Sequence, residues 1–223
     1  MYGTVLSGDP AFDVVVLAAS AGGVQALQVV LGQLPATLPA AVVVVQHRTA
    51  VSDDPLLALL GRRCSLPVLA ATADEPLRPG RVILCSADQQ VLITADRRLH
   101  LADAPAAPTG GERCAADPLI ASAAAAYGRA TLAVVLTGRL SDGARGIQAV
   151  KGAGGRVLAQ DPADAVAAGM PQAALATGCV DLVLPLDVLG SAVTALVMAP
   201  GAAALFAAPL PHWARPLAPG TAA

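Results

Sequence analysis

Residues 14–27 read VVVLAASAGGVQAL. A continuous apolar run ends at Ser20, Ala21, Gly22 and Gly23, and apolar residues at helical spacing follow. A run of that kind predicts a strand, Phe12–Ala18, buried on both faces. Val24, Leu27, Val30, Leu31 and Leu34 then predict a helix over Gly22–Leu34, stopped by Pro35. Two machines begin this way. One cradles a phosphate on backbone N–H groups at a helix N-terminus. The other presents Ser20 as a nucleophile and turns the same N–H groups toward an oxyanion. The dinucleotide fingerprint G-x-G-x-x-G would need glycines where Ala18 and Ser20 stand, and no lysine follows as in a Walker A loop. The G-x-S-x-G elbow of α/β-hydrolases is absent too.

Further along, strand-like and helix-like stretches alternate. Ala41–Val45, Thr131–Thr137, Gly155–Ala159 and Cys179–Leu184 read as strands, and Pro55–Arg62, Asp117–Gly128, Gly143–Gly152, Pro171–Thr177 and Val188–Met198 as helices. Repeated β-α-β units predict an α/β fold: a doubly wound, mostly parallel sheet with helices on both faces. Within Pro67–Leu101 the short pieces RVILCS, QVLIT and RLHL, separated by turn residues, predict an antiparallel hairpin at one edge. The expected division is a flexible N-terminus over 1–11, one domain over 12–199, and an Ala/Pro-rich, disordered tail over 200–223.

The 223 residues carry a net charge of −2 and no basic stripe, which argues against a nucleic-acid partner. Aromatics are only 2% and alanine is abundant, so helices should pack closely on a Val-rich sheet. Cys64, Cys85, Cys114 and Cys179 are scattered without a C-x-x-C, as expected for reduced thiols in a cytoplasmic protein and not for a zinc site. No signal peptide is visible at the N-terminus. The uncharged stretch Val188–Pro211 is broken by Ser191, Thr194, Pro200, Gly201, Pro209 and Pro211, whereas a membrane span needs ~20 continuous apolar residues. No membrane insertion is expected.

In doubly wound sheets the ligand site lies at the carboxyl ends of the strands. Three polar groups stand there: Ser20, His47 after Gln46, and Asp142 within Gly138-Arg139-Leu140-Ser141-Asp142-Gly143. Each has an ordinary reading. Ser20 suits a helix N-cap, His47 a polar loop, and Asp142 a turn or N-cap. Together they make the set needed for nucleophilic acyl transfer, in which imidazole takes the serine proton and a carboxylate orients the imidazole.

The pieces AASAGGVQAL, VVVVQH, RPGRV, AVVLTGRLSDGARGIQAVKGAGGRVLAQDP and GMPQAALATGCVDLVLPL run from about Asp13 to Leu186. They resemble the catalytic domain of the chemotaxis methylesterase CheB. The resemblance implies hydrolysis of γ-glutamyl methyl esters on chemoreceptors, with deamidation of receptor glutamine in many members, and needs no metal or cofactor. It implies a Ser20, His47, Asp142 triad and an oxyanion hole from the backbone N–H groups of Ala21 and Arg139. Gly22, Gly23, Thr137, Gly138, Gly143 and Met170 would support the cleft. The implied partner is the cytoplasmic domain of a chemoreceptor-like protein, with a separate receiver or kinase protein as a further candidate. The chain departs from the family at several places. Arg139 stands for the usual methionine, Leu140 for a glycine, and Gln90 for a common histidine. The stretch after His47 matches loosely, and the family's receiver domain is not in this sequence. If the glycine slot needs a positive φ, Leu140 is strained there. The alternatives are a catalytically degenerate binding or signalling module, a serine hydrolase of another ester or amide, and, more remotely, a nucleotide-binding module.

Overall fold

The computed structural model describes residues 11–49, 55–103 and 114–199, together with Pro209 and Pro211. The expected terminal segments 1–11 and 200–223 therefore lie outside the described residues, apart from Ala11 and the two prolines.

The elements run β1 (Val14–Ala19), α1 (Gly23–Gly32), β2 (Ala41–Gln46), α2 (Leu56–Gly61), β3 (Val68–Ala70), β4 (Arg81–Leu84), β5 (Gln89–Ile93) and β6 (Leu99–Asp103). Then come α3 (Ala116–Tyr127), a short 3-10 turn, β7 (Thr131–Val135), α4 (Ala144–Gly152), β8 (Arg156–Gln160), α5 (Gly169–Ala176), β9 (Leu182–Leu184) and α6 (Leu186–Met198). Seven strands form one sheet in the order β3-β4-β2-β1-β7-β8-β9, and every pairing in it is parallel. β1 is central. Its residues are buried on both faces, and the pleat divides them. Val15, Leu17 and Ala19 pack with the buried side chains of α1, α2 and α6. Val14, Val16 and Ala18 pack with those of α3, α4 and α5. The doubly wound sheet expected from the strand and helix pattern is the fold observed.

One part differs. The RVIL piece is not half of a hairpin but β4, a strand of the parallel sheet flanked by β3. Its residues Val82, Ile83 and Leu84 are all buried, as a continuous apolar run on a parallel strand should be. The antiparallel hairpin is β5–β6 alone, registered Gln89 with Asp103 through Ile93 with Leu99. It forms a separate ribbon laid on the α3 face, where Val91, Ile93 and Leu99 join the core. Among the described residues no helix is long and apolar enough to cross a membrane.

The chain leaves β1 toward β2 on one side, while β7 lies on the other, so the strand order reverses between β1 and β7. That reversal opens a crevice at the strand ends. Behind it, α3 and α4 pack closely because Gly146 has no side chain. A Cβ there would stand 2.7 Å from Ile120 Cβ and 2.9 Å from the Asp117 carbonyl oxygen. Alanine in a helix is intrinsically better than glycine by ~1 kcal/mol. Gly146→Ala should nevertheless lower the urea unfolding midpoint, because the crowding costs more than the propensity returns. An unchanged or raised midpoint would show that the two helices can part without penalty.

Candidate functional site

Parallel pairing brings three strand ends together. Ala19 of β1 pairs with Gln46 of β2, so Ser20 and His47 follow side by side. Ala18 pairs with Val135 of β7, which delivers the 136–143 loop to the other flank. Backbone hydrogen bonds extend these ladders past the strands: Leu136 N–H to Ala18 O at 2.9 Å, Ser20 N–H to Thr137 O at 3.0 Å, and His47 N–H to Ala19 O at 3.0 Å.

Ser20 is buried at 8% exposure. It does not cap α1: the N-cap is Gly22, at φ 78°, with no side-chain cap bond. The Ser20 carbonyl instead accepts the Gly23 N–H at 2.8 Å. A Cβ on Gly22 would strike Val166, so the loop after β8 leans directly on the serine turn. Gly138 is confined likewise, with Met170 Sδ 2.1 Å and Ser20 Cβ 2.9 Å from where its Cβ would be. Thr137 Oγ1 ties the turn to that loop, donating to Ala21 O at 2.9 Å and accepting the Ala167 N–H at 2.9 Å.

Asp142 is 7% exposed and its carboxylate is held by three backbone donors. Oδ2 accepts the Ala116 N–H at 2.8 Å, and Oδ1 accepts those of Asp117 and Gly143, each at 2.9 Å. Ala116 and Asp117 open α3, so the helix N-terminus faces the carboxylate with free donors and a positive dipole end. Burial pushes the Asp142 carboxyl up, but the His47 ring and these N–H groups outweigh it, and the net shift is below the usual carboxylate value. Asp117 in turn accepts the Gly146 N–H at 2.8 Å and Arg145 Nε at 3.2 Å, which locks α3 to α4. The Cys114 thiol and the Asp117 and Asp142 carboxylates lie within 4.8 Å of one another, but both carboxylates are already engaged with these donors.

His47 Nε2 stands 2.7 Å from Asp142 Oδ2. The two groups are in close contact, although the N–H is not aimed along it. Among the described residues neither buried ring nitrogen makes a hydrogen bond of good geometry, so none joins Nδ1 to Ser20 Oγ. The site thus couples His47 to Asp142 and leaves a ring nitrogen and a serine hydroxyl unengaged on adjacent strand ends. Catalytic hydrogen bonds are often long or misaligned before substrate arrives.

Among the described residues the backbone N–H groups of Ala21 and Arg139 donate to no protein acceptor. Arg139 and Leu140 are both exposed, and Leu140 adopts φ 59°, the left-handed conformation that the glycine slot would favour. The departure at Leu140 is therefore accommodated as local backbone strain, and Gly143 at φ 95° completes the turn. Gly169 has no side chain to obstruct it; a Cβ there would meet the Leu140 N at 2.8 Å. Gln90 is buried, and its Nε2 donates to Ala115 O at 3.3 Å, immediately ahead of α3.

Sequence reasoning overlooked three supports. Gln46 and Gln160 each end an apolar strand, and Gln160 Oε1 accepts the Thr137 N–H at 2.9 Å. The third is the N-terminus of α3. A lone polar residue closing a buried strand was the signal available for the glutamines. Of the scattered cysteines, Cys85 is buried at the end of β4, and burial pushes its thiol up to about 12 despite the nearby Arg48.

Two measurements follow from this geometry. Because the folded carboxyl of Asp142 titrates below its unfolded value, ~3.9, its contribution to stability is complete above that value. It is lost as the pH falls through the folded value. Asp142→Asn should therefore flatten the loss of stability in acid, and a urea series over that range with an undiminished slope would contradict the assignment. Leu140→Gly should cost nothing in thermal stability, because relief of a left-handed leucine, ~1–2 kcal/mol, offsets the entropy glycine adds to the unfolded chain. A drop of several degrees would mean that Leu140 is unstrained.

Residues 15–193 match the family model of the CheB methylesterase. A protein-glutamate methylesterase/protein-glutamine glutaminase of Moorella thermoacetica is 42% identical over 195 residues, 86% of this chain and 46% of that protein. The protein-glutamate methylesterase FrzG of Myxococcus xanthus is 36% identical, over 82% of this chain and 54% of its own length. The chain thus spans about half the length of the curated relatives it matches. The crystal structure of the Thermotoga maritima CheB methylesterase catalytic domain superposes with a TM-score of 0.77 at 31% identity, covering 83% of this chain and 99% of that one. The chain belongs to the CheB methylesterase family, matching its catalytic domain.

Proposed function

We propose that the protein is a serine hydrolase of γ-glutamyl methyl esters on a chemoreceptor-like protein. The observation that carries the reading is the Asp142 carboxylate, held by three N–H groups and set 2.7 Å from a histidine that follows the strand beside Ser20. With Nε2 at Asp142, Nδ1 is the nitrogen left to take the Ser20 proton. The Ser20 oxygen then bonds to the ester carbonyl carbon, and the carbonyl oxygen gains the charge. The unengaged N–H groups of Ala21 and Arg139 are its donors, and one such donor is worth ~10²–10³ in rate. His47 returns the proton to the departing methanol. Water, deprotonated by the same ring, releases the glutamate carboxylate and restores Ser20. Asp142 stabilises the imidazolium at each stage. Gly22, Gly23, Thr137, Gly138, Gly143 and Met170 keep the turns in place. An amide in place of the ester gives deamidation by the same steps.

The chemistry needs neither metal nor cofactor. The partner is the cytoplasmic domain of a chemoreceptor-like protein, and the reaction takes place in the cytoplasm; a separate receiver or kinase protein is the candidate regulator. The exposed Arg139 beside the crevice suits a carboxylate-rich helix. A domain over 12–199 contains every residue invoked.

Ser20→Ala and His47→Ala should each remove most methyl-ester hydrolysis, and the double variant should be little worse than either alone, because residues acting as a unit are not additive. Losses that multiply would separate the two residues. A wild type that neither hydrolyses the ester nor is labelled at Ser20 by a fluorophosphonate would favour a binding module instead.

A further inference from the structure

Ser20 and His47 are 27 positions apart in sequence, yet one side-chain nitrogen touches both. Gln46 Nε2 donates to the Ser20 carbonyl at 2.8 Å and to the His47 carbonyl at 2.9 Å. Gln46 is only 6% exposed, and among the described residues its buried Oε1 has no hydrogen-bond partner. The amide cannot be reversed, since that would set its oxygen against two carbonyl oxygens. An unpartnered buried oxygen is unfavourable. The fold tolerates it because both amide hydrogens are spent on the two residues beside the crevice.

The surroundings are shaped to admit this amide. Gly23 has no side chain, and a Cβ on it would stand 2.1 Å from Gln46 Oε1. Arg48 Nη1 donates to the Gln46 carbonyl at 3.0 Å and Nη2 to the Cys85 carbonyl at 3.1 Å, which fixes the end of β2 against that of β4. Few residue types could replace the glutamine. Ionised glutamate has no hydrogen to give, asparagine is one methylene shorter, and lysine would bury an unpaired charge.

We infer that Gln46 is a positioning residue: its amide, shared between the Ser20 and His47 carbonyls, sets the separation of the two backbones and so brings Oγ and the imidazole to bear on each other. The inference rests on the hydrolase reading of the site. It goes beyond the triad by assigning its alignment to a group that touches no substrate. Misplacement of reacting groups by ~1 Å can cost about 10²-fold in rate.

The test uses the full chain with Gln46→Leu, which keeps the bulk and removes the donors, and Gln46→Glu, which can donate only when protonated. Hydrolysis of a p-nitrophenyl ester and fluorophosphonate labelling of Ser20 are followed across the pH range in which histidine titrates, with a crystal structure of the Leu variant. The expected result is a kcat lower by about 10²-fold at unchanged KM for the Leu variant. The activity of the Glu variant relative to wild type should rise as the pH falls, because its carboxyl regains a donor. Wild-type kcat in the Leu variant, or a Glu-to-wild-type ratio that does not change with pH, overturns the inference. If the Leu variant does not fold, the Glu ratio alone decides. If the wild type neither turns over nor labels at Ser20, the hydrolase reading is what has failed. The Leu structure then decides the inference: a widened Ser20–His47 separation sustains it and an unchanged one overturns it.

Discussion

The pairing of β1 with β2 on one edge and with β7 on the other is the constraint from which the rest follows. Parallel strands in register deliver their carboxyl ends to one level. A slip of one residue would turn every side chain of β1 to the opposite face of the sheet. The split of β1 between two cores makes such a slip costly. Val15 and Leu17 belong to one core, Val14 and Val16 to the other, and each buried side chain is worth ~1.5–3 kcal/mol. Core packing thus fixes the register at which Ser20, His47 and the 136–143 loop leave the sheet.

Onto that frame the protein adds charge. A carboxylate out of water is unfavourable unless donors and a counter-charge compensate. Asp142 receives three donors from two features: Gly143 of its own turn, and Ala116 and Asp117 at the start of α3. The helix ahead of β7 therefore serves the loop after it. Gly146 lets α4 come close to α3, and Asp117 ties the two, so the position of the acidic group depends on helix packing well behind the crevice. Electrostatics and packing are here one arrangement.

The sheet was legible because its strands are long apolar runs: VVVLAA and TLAVV admit few other readings. The strand-end rule then singled out Ser20, His47 and Asp142 without any contact being known. RVIL reads as part of the hairpin because it is only four residues long and sits among turn residues, and a short apolar run does not disclose its partner. Gln46 and the start of α3 escaped for another reason. Their contacts join residues 25 and 26 positions apart, through distances that only the folded sheet sets. Local spacing carries no trace of them.

Leu140 has a wider meaning. A leucine prefers right-handed or extended backbone, yet here it holds φ 59°. The shape of its loop is thus imposed from outside, by Gly169 against its backbone, by the Gly138 N–H bond to Ala167 and by the Met170 N–H bond to Gly138, both at 2.9 Å. A loop held in this way is not portable. Transplanted onto another scaffold, residues 137–143 would relax to a different form, whereas a glycine-bearing version would carry more of its shape with it. The instructions for this turn lie less in the residue that makes it than in the neighbours that enclose it.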